Sequence, residues 1–155
     1  MVNVQMGVDN HGAIMTSIDL ALQELLTATG ASRVTLRQDL PGDYAFPVTH
    51  EARVPAAASL KEERTVVLKE QPVVLELQQG RQVVQDDCRT AFDEPAFHAM
   101  LETYGGLAAQ VVTPVFVGDR LAAIISLHQL GTPRSWTNAE VAACTRVAAR
   151  VAELL

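Results

Sequence analysis

Two long apolar runs separated by a two-residue turn constrain the fold of this chain more than any other feature. The runs cover residues 109–117 and 120–129, and Gly118-Asp119 joins them. A glycine-containing pair between two β-favouring runs predicts a β-hairpin. Both runs are apolar at consecutive positions, so each strand presents apolar side chains on both of its faces. The hairpin is therefore expected in the middle of a sheet, covered on each side.

A helix is predicted near each end of the chain. In the first, apolar residues recur at helical spacing from Ile14 to Leu26, and Gly30 stops the pattern. In the last, Thr137 and Glu140 form a capping-box pattern ahead of an apolar stripe. Each stripe must bury its apolar side against the sheet that contains the hairpin.

The rest of the chain supplies further strands and a short helix. Strands are predicted at residues 32–39, 44–54 and 82–85, and a short helix at residues 94–104. Residues 55–80 mix helix and strand signals, and we interpret them as loop, strand and short helix. In the first of these strands polar and apolar residues alternate, which predicts a half-buried strand. Arg33 and Arg37 share one face of it, where a surface position is expected and a contact of one of them with the pocket is the alternative.

These elements together predict an α+β fold. A central antiparallel sheet of five or six strands carries the first and last helices on one face. The loops and the short helix cover the other face and form a pocket against it. At about 150 residues per domain, 155 residues predict one domain, with residues 1–12 as an N-terminal tail and residues 13–155 as the folded unit.

The composition excludes several kinds of partner. The chain has 18 acidic and 12 basic residues, a formal net charge of −6, which argues against a nucleic-acid partner. No apolar run approaches the ~20 residues of a membrane-spanning helix, and no secretion signal is expected from the first residues. Two cysteines cannot form a disulfide framework. A cytoplasmic protein without membrane contact is expected.

Two motifs in the C-terminal half carry a family resemblance. The first is the hairpin segment 111–121, which contains Thr113-Pro114-Val115 ahead of Gly118. The second is residues 133–140, which read PR-x-W-x-x-x-E at the start of the last helix. Both resemble the GAF domain, the small-molecule sensor module of signalling proteins, and the second is most similar to GAF domains of phytochromes and cyanobacteriochromes. The resemblance spans residues 14–155 and implies a GAF-like fold with a ligand pocket.

The same resemblance indicates whether a cofactor can be attached to this chain. In those photoreceptors a cysteine followed by a histidine, on the short helix before the hairpin, holds a bilin. The matching pair here is Phe97-His98, so no thiol is present for a thioether at that position. Cys88 lies nine residues earlier and is a poor substitute. Neither a covalently bound bilin nor another cofactor is therefore expected.

Five candidate ligand contacts follow from the resemblance and from strand and helix geometry. His128 is similar to a histidine that contacts the chromophore in the photoreceptors, and it shares a strand face with Ser126. On the short helix, His98, Phe97 and Met100 are expected to line the same pocket. The alternatives are that His128 is tied to the following turn, that His98 points to solvent and that Phe97 belongs to the core.

Two further candidates follow the third strand. Arg89 is expected to pair with a ligand carboxylate and Asp86 to contribute to the same loop, the alternative being a solvated acidic turn. No metal site is predicted, because the four histidines are far apart and match no metal-ligand spacing. These histidines are His11, His50, His98 and His128.

The function predicted from these features is sensing or regulation of a bacterial type. The chain is expected to bind a small organic ligand and to act in signal transduction through a partner, or through a homodimer formed by the first and last helices. One alternative is a small catabolic enzyme that uses His98 or His128 as general acid or base. Another is a dimerisation module without a ligand. Cysteine chemistry at Cys88 is not expected, because the preceding Asp86-Asp87 opposes a thiolate.

Overall fold

The chain folds as a five-stranded antiparallel sheet between a pair of helices and a layer of loops and short helices. This computed structural model describes residues 2–43 and 45–155, with the side chains of all of these except residues 2–11, 15 and 70. The strands lie in the order β2-β1-β5-β4-β3. Their bounds are β1 Arg33–Gln38, β2 Val48–Arg53, β3 Val83–Gln85, β4 Leu107–Val117 and β5 Arg120–Leu130.

The β4–β5 hairpin occupies the interior of the sheet, as its sequence predicts. β5 lies between β1 and β4, and β4 lies between β5 and β3. Gly118 turns the chain with a φ of 65°, in the region that favours glycine. Val111 and Ile125 point to the helix pair, whereas Val112 and Ile124 point to the loop layer, and all four are buried. The apolar residues on both faces of the hairpin are thus explained by cover on both sides.

Helices α1 (Val2–Thr29) and α4 (Asn138–Leu154) cover one face of the sheet. Buried α1 and α4 residues form one apolar core with β1 and the hairpin. Gly30, with a φ of 66°, ends α1 at the predicted residue. The helix begins well before Ile14, while the division into a tail at 1–12 and a domain at 13–155 stays a prediction. Neither α1 nor any other helix in the described part of the chain could span a membrane.

The opposite face is covered by short helical elements. These are a 3₁₀ turn at Leu68–Glu70, α2 (Pro72–Gln78), a second 3₁₀ turn at Cys88–Thr90 and α3 (Pro95–Thr103). The strand expected within residues 55–80 is wrong, since the described residues of this stretch contain none. The valines there favour a strand locally, but Pro72 occupies the first turn of a helix, a position that proline stabilises. The pocket-forming layer is therefore more helical than expected.

Strand β1 is buried on both faces, which corrects the prediction of a half-buried strand. Arg33 and Arg37 are 0% and 4% exposed, although their alternation with valine and leucine suggested a solvent-facing side. The segment after β2 and the end of α3 cover this side, because Arg33 donates hydrogen bonds to the carbonyl oxygens of Ala58 and Tyr104. Alternation identifies residues that share a face, but it does not identify what covers that face.

The capping box of α4 provides a test of how the last helix is held. The Thr137 hydroxyl accepts from the Glu140 backbone N–H, and the Glu140 carboxylate accepts from the Thr137 N–H. We expect Thr137→Ala to lower the free energy of unfolding by about 1 kcal/mol, because it leaves a helix N–H group without its partner. Urea denaturation measures this change. Thr137→Ser keeps a hydroxyl and should stay near the wild-type value; equal losses in both variants would contradict the capping role.

Candidate functional site

A row of polar side chains crosses the sheet on the face covered by the short helices. Arg53, Arg33, His128, Gln110 and Gln85 lie opposite one another in register, one from each of the five strands. All except Arg53 are buried. Buried polar groups are stable only when they are hydrogen-bonded, so this row must be satisfied by its own members or by the layer above it.

At the centre of the row, Arg33 donates to His128. The Nε and Nη2 atoms of Arg33 lie 3.1 and 3.0 Å from Nδ1 of His128. Tyr104 stacks against the imidazole with ring centroids 6.0 Å apart. Burial, followed by the charges of Arg33 and Arg37, holds the pKa of His128 well below its usual 6.5, so the ring is neutral. Burial lowers the pKa of Arg33 to about 10, which still leaves the guanidinium charged at neutral pH.

A second buried arginine lies two residues further along β1. Arg37 donates to the hydroxyl of Tyr104 at 2.9 Å and to the carbonyl oxygen of Phe46 at 3.1 Å. Burial raises the pKa of Tyr104, so its hydroxyl stays protonated. Among the described side chains, no carboxylate oxygen lies within 4.0 Å of the Arg37 guanidinium. Arg37 is therefore a buried cation that is held by neutral oxygens.

A small cavity of about 30 Å³ lies between the sheet and helices α2 and α3. This volume has room for one or two water molecules. Its polar lining consists of Arg37, Gln71, Tyr104, Gln110, Ser126 and His128. Gln71 is 5% exposed, and its buried amide oxygen has no hydrogen-bond partner among the described residues. An unsatisfied buried acceptor is unfavourable by about 1–3 kcal/mol, so a donor brought by water or by a ligand would stabilise the site.

A larger groove of about 530 Å³ lies on the outer side of the same layer, between residues 65–75 and α3. Val66, Val67, Leu75 and Phe97 supply much of its apolar lining. Gln71 and Met100 line both the groove and the cavity, so these two side chains form the wall between the two spaces. The groove has the size and the apolar character of a small-molecule site.

Four of the predicted ligand contacts lie at these two spaces. His128, Ser126 and Met100 line the cavity, and Met100 and Phe97 line the groove. Phe97 is also fully buried in the core, as its alternative interpretation holds. Their assignment to ligand binding stays a prediction.

The other three predicted contacts lie elsewhere. His98 has its Nε2 atom 2.7 Å from the carbonyl oxygen of Phe92. Arg89 is mostly exposed and pairs with Asp87, with 3.0 Å between Nε and Oδ1. Asp86 accepts a hydrogen bond from the backbone N–H of Trp136 at 3.2 Å. None of the three lines the cavity or the groove, because each is engaged by a local or structural partner.

Several residues of the site were not predicted from the sequence. Gln71, Tyr104 and Gln110 come from three separate segments, and no local motif marks any of them. Arg37 was signalled only by its place on the same strand face as Arg33. The cavity is thus assembled largely by tertiary packing.

Comparison with known proteins identifies the fold. A match to the family described as GAF domain covers residues 15–155. The phycoerythrobilin-bound GAF domain of a cyanobacterial phytochrome superposes with a TM-score of 0.76 at 18% identity, over 91% of this chain and 84% of that one. GAF3 from Slr1393 of Synechocystis sp. PCC6803 gives 0.73 at 19% identity, over 90% of each chain. No curated protein is significantly similar to the chain.

The comparison corrects the expectation that no cofactor is involved. A third similar structure, JSC1_58120g3 with bound biliverdin IXa, has a TM-score of 0.69 at 22% identity and covers 86% of this chain and 84% of that one. Solved structures with this fold thus hold phycoerythrobilin and biliverdin. The absence of a cysteine at the Phe97 position excludes a thioether bond there. It does not exclude a tetrapyrrole, because solved structures with this fold hold one. The exclusion of a bilin is therefore wrong.

The buried His128 predicts how stability depends on pH. The unfolded state takes up a proton on this ring near pH 6.5, but the folded state does so only at a much lower pH. The free energy of unfolding should therefore fall as the pH drops below about 7, by at most about 1.4 kcal/mol per pH unit from this residue. Urea unfolding at several pH values measures the slope. His128→Gln should flatten it, and an unchanged slope in that variant would contradict a neutral buried ring.

Both cysteines are expected to be unreactive in the folded chain. Burial, and then the charge of Asp87, raises the pKa of the Cys88 thiol to about 12, and burial raises that of Cys144 to about 12. Reaction with Ellman's reagent at neutral pH should therefore be slow until denaturant is added. An Ala139→Cys variant adds a thiol at an exposed position of α4 and serves as the control. Reaction of native Cys88 as fast as that of the added cysteine would contradict its burial.

Proposed function

The chain belongs to the GAF domain family, and on that premise we propose that it is a sensory domain for a small organic ligand that carries an acidic group. The ligand site consists of the small cavity and the outer groove. The observation that carries this proposal is the buried guanidinium of Arg37, which lines the cavity without a carboxylate partner among the described side chains. The ligand would supply the missing negative charge.

The surroundings of Arg37 favour an anionic group beside its guanidinium. A buried cation is stabilised far more by an anion than by the neutral oxygens of Phe46 and Tyr104 that now surround it. The Tyr104 hydroxyl accepts from Arg37 and keeps its own proton for donation, so it can bind an oxyanion together with the guanidinium. A carboxylate at this position would thus meet two donors in a site of low dielectric constant.

The apolar body of such a ligand would occupy the groove. Gln71 and Met100 stand between the groove and Arg37, so their side chains must move for one molecule to reach both spaces. Methionine adapts its shape readily, which suits this position. A bilin belongs to the proposed class, because it combines an extended apolar body with carboxylate groups. The bilin-bound structures with the same fold support this candidate.

We further propose that the signal leaves through the helix pair on the opposite face. α1 and α4 pack on each other and share an ion pair between Arg150 and Glu24, 3.1 Å apart. Strands β4 and β5 pack on both the helix pair and the layer of short helices. Strand β1 packs on the helix pair and reaches the other layer through the hydrogen bonds of Arg33 and Arg37 to Tyr104, so all three strands connect the two faces. A ligand that binds one arrangement of the layer more tightly would shift the population of that arrangement. A homodimer or a partner seated on α1 and α4 would then receive the change.

The ligand proposal is tested by titrating the purified chain with biliverdin while recording its absorption spectrum. We expect saturable binding to the wild type and a Kd about 10–100 times higher for Arg37→Gln, because a hydrogen-bonded charge pair contributes about 1.5–3 kcal/mol. Arg120→Gln is the matched control. Arg120 lies at the hairpin turn, is mostly exposed and pairs with Asp39, so its loss should leave the Kd unchanged.

Biliverdin dimethyl ester isolates the contribution of the acidic groups, since it has the same tetrapyrrole body without free carboxylates. The ester should bind the wild type more weakly than the acid and should not distinguish wild type from Arg37→Gln. Equal affinity for acid and ester would contradict recognition of a carboxylate. A thermal-shift screen of smaller aromatic and aliphatic acids extends the test, and a folded chain that binds none of these compounds would contradict the sensory proposal.

A further inference from the structure

Arg33 holds three separate parts of the pocket layer through one guanidinium group. It is fully buried, and its Nη1 atom donates to the carbonyl oxygen of Ala58 at 2.8 Å. Its Nη2 atom donates to the carbonyl oxygen of Tyr104 at 2.7 Å. Both Nε and Nη2 point at Nδ1 of His128. The guanidinium is planar and its donors are fixed in a fork, so these contacts leave it little freedom to rotate.

This geometry has a chemical consequence for His128. An arginine side chain has only donors, so the Nδ1 atom that faces it must offer a lone pair. A neutral imidazole with a lone pair on Nδ1 carries its proton on Nε2. We infer that Arg33 is a positioning residue of the ligand site, because its two N–H groups fix His128 as the tautomer with the proton on Nε2.

The fixed tautomer decides what the cavity can recognise. His128 lines the cavity, and its Nε2 atom has no hydrogen-bond partner among the described residues. The N–H at this atom is therefore an available donor. Together with the Tyr104 hydroxyl, it favours a ligand oxygen that accepts hydrogen bonds over an ammonium or another donor group. This selectivity rests on the proposed function, since it needs a ligand in the cavity.

Arg53 provides a matched control for a purely structural role of Arg33. Arg53 lies opposite Arg33 on β2 and donates to the carbonyl oxygen of Ala57 at 2.8 Å, next to the Ala58 oxygen that Arg33 binds. Both arginines therefore anchor the same segment, but only Arg33 contacts His128. An effect on the His128 ring that is seen in Arg33→Met and absent in Arg53→Met cannot arise from loosening of that segment.

The experiment is ¹⁵N nuclear magnetic resonance of the histidine side chains in the ligand-free protein, with His128→Gln used to assign the signals. In the wild type we expect a pyrrole-like shift at Nε2, a pyridine-like shift at Nδ1 and a scalar coupling from Arg33 Nε to His128 Nδ1 across the hydrogen bond. In Arg33→Met we expect a mixture of tautomers or a ring that titrates. Arg53→Met should keep the wild-type pattern.

Two results would overturn the inference. One is a wild-type ring with its proton on Nδ1, and this result decides the question even if Arg33→Met does not fold. The other is a folded Arg33→Met variant that keeps the single Nε2–H tautomer. In the biliverdin titration, Arg33→Met should raise the Kd about tenfold and Arg53→Met should not. If the expected tautomer is found but no acidic ligand binds, the effect of Arg33 on the His128 ring is supported and the proposed function is contradicted.

Discussion

The hydrogen bonds of one buried guanidinium hold the layer of short helices in place on the sheet. Arg33 binds the Ala58 segment, the end of α3 and the imidazole on β5, three parts of the chain that are distant in sequence. Because a buried charge is tolerated only when its hydrogen bonds are made, any arrangement that withdraws one of these acceptors is penalised. The layer is thus kept in register with the sheet by a polar contact, although most of its packing is apolar.

The parts of the fold that could be predicted from the sequence are those in which an apolar pattern extends over a long segment. The hairpin and the two terminal helices repeat their pattern over ten or more residues, so the local signal exceeds any competing one. β1 and α2 depend instead on contacts that are distant in sequence. The buried positions of Arg33 and Arg37 depend on contacts with Ala58 and Tyr104, which are distant in sequence. The helix at Pro72 forms although the β-branched residues around it favour a strand.

The residues of the candidate site also fall into two groups, those that a local pattern predicts and those that only tertiary packing brings together. Strand alternation places His128 and Ser126 on one face, and the resemblance to the photoreceptor domains predicts that this face lines the pocket. Gln71 and Tyr104 become neighbours only when α2 and α3 pack on the sheet, so nothing in their immediate sequence marks them. Arg89 and Asp86 had a plausible local pattern, but the nearest partner satisfied each of them first. The prediction that no bilin is bound was wrong for a similar reason. It relied on one position, Phe97, whereas a bilin is held by the fold as a whole.

In the proposed ligand site, the wall formed by Gln71 and Met100 would control how fast the ligand is exchanged. A molecule that reaches Arg37 from the groove must wait for both side chains to move aside, so association is slower than unobstructed collision would allow. Dissociation requires the same side-chain movement, so the same barrier also lengthens the residence time of the ligand. A receptor with slow exchange in both directions responds to the average supply of its ligand over that residence time and filters out brief fluctuations.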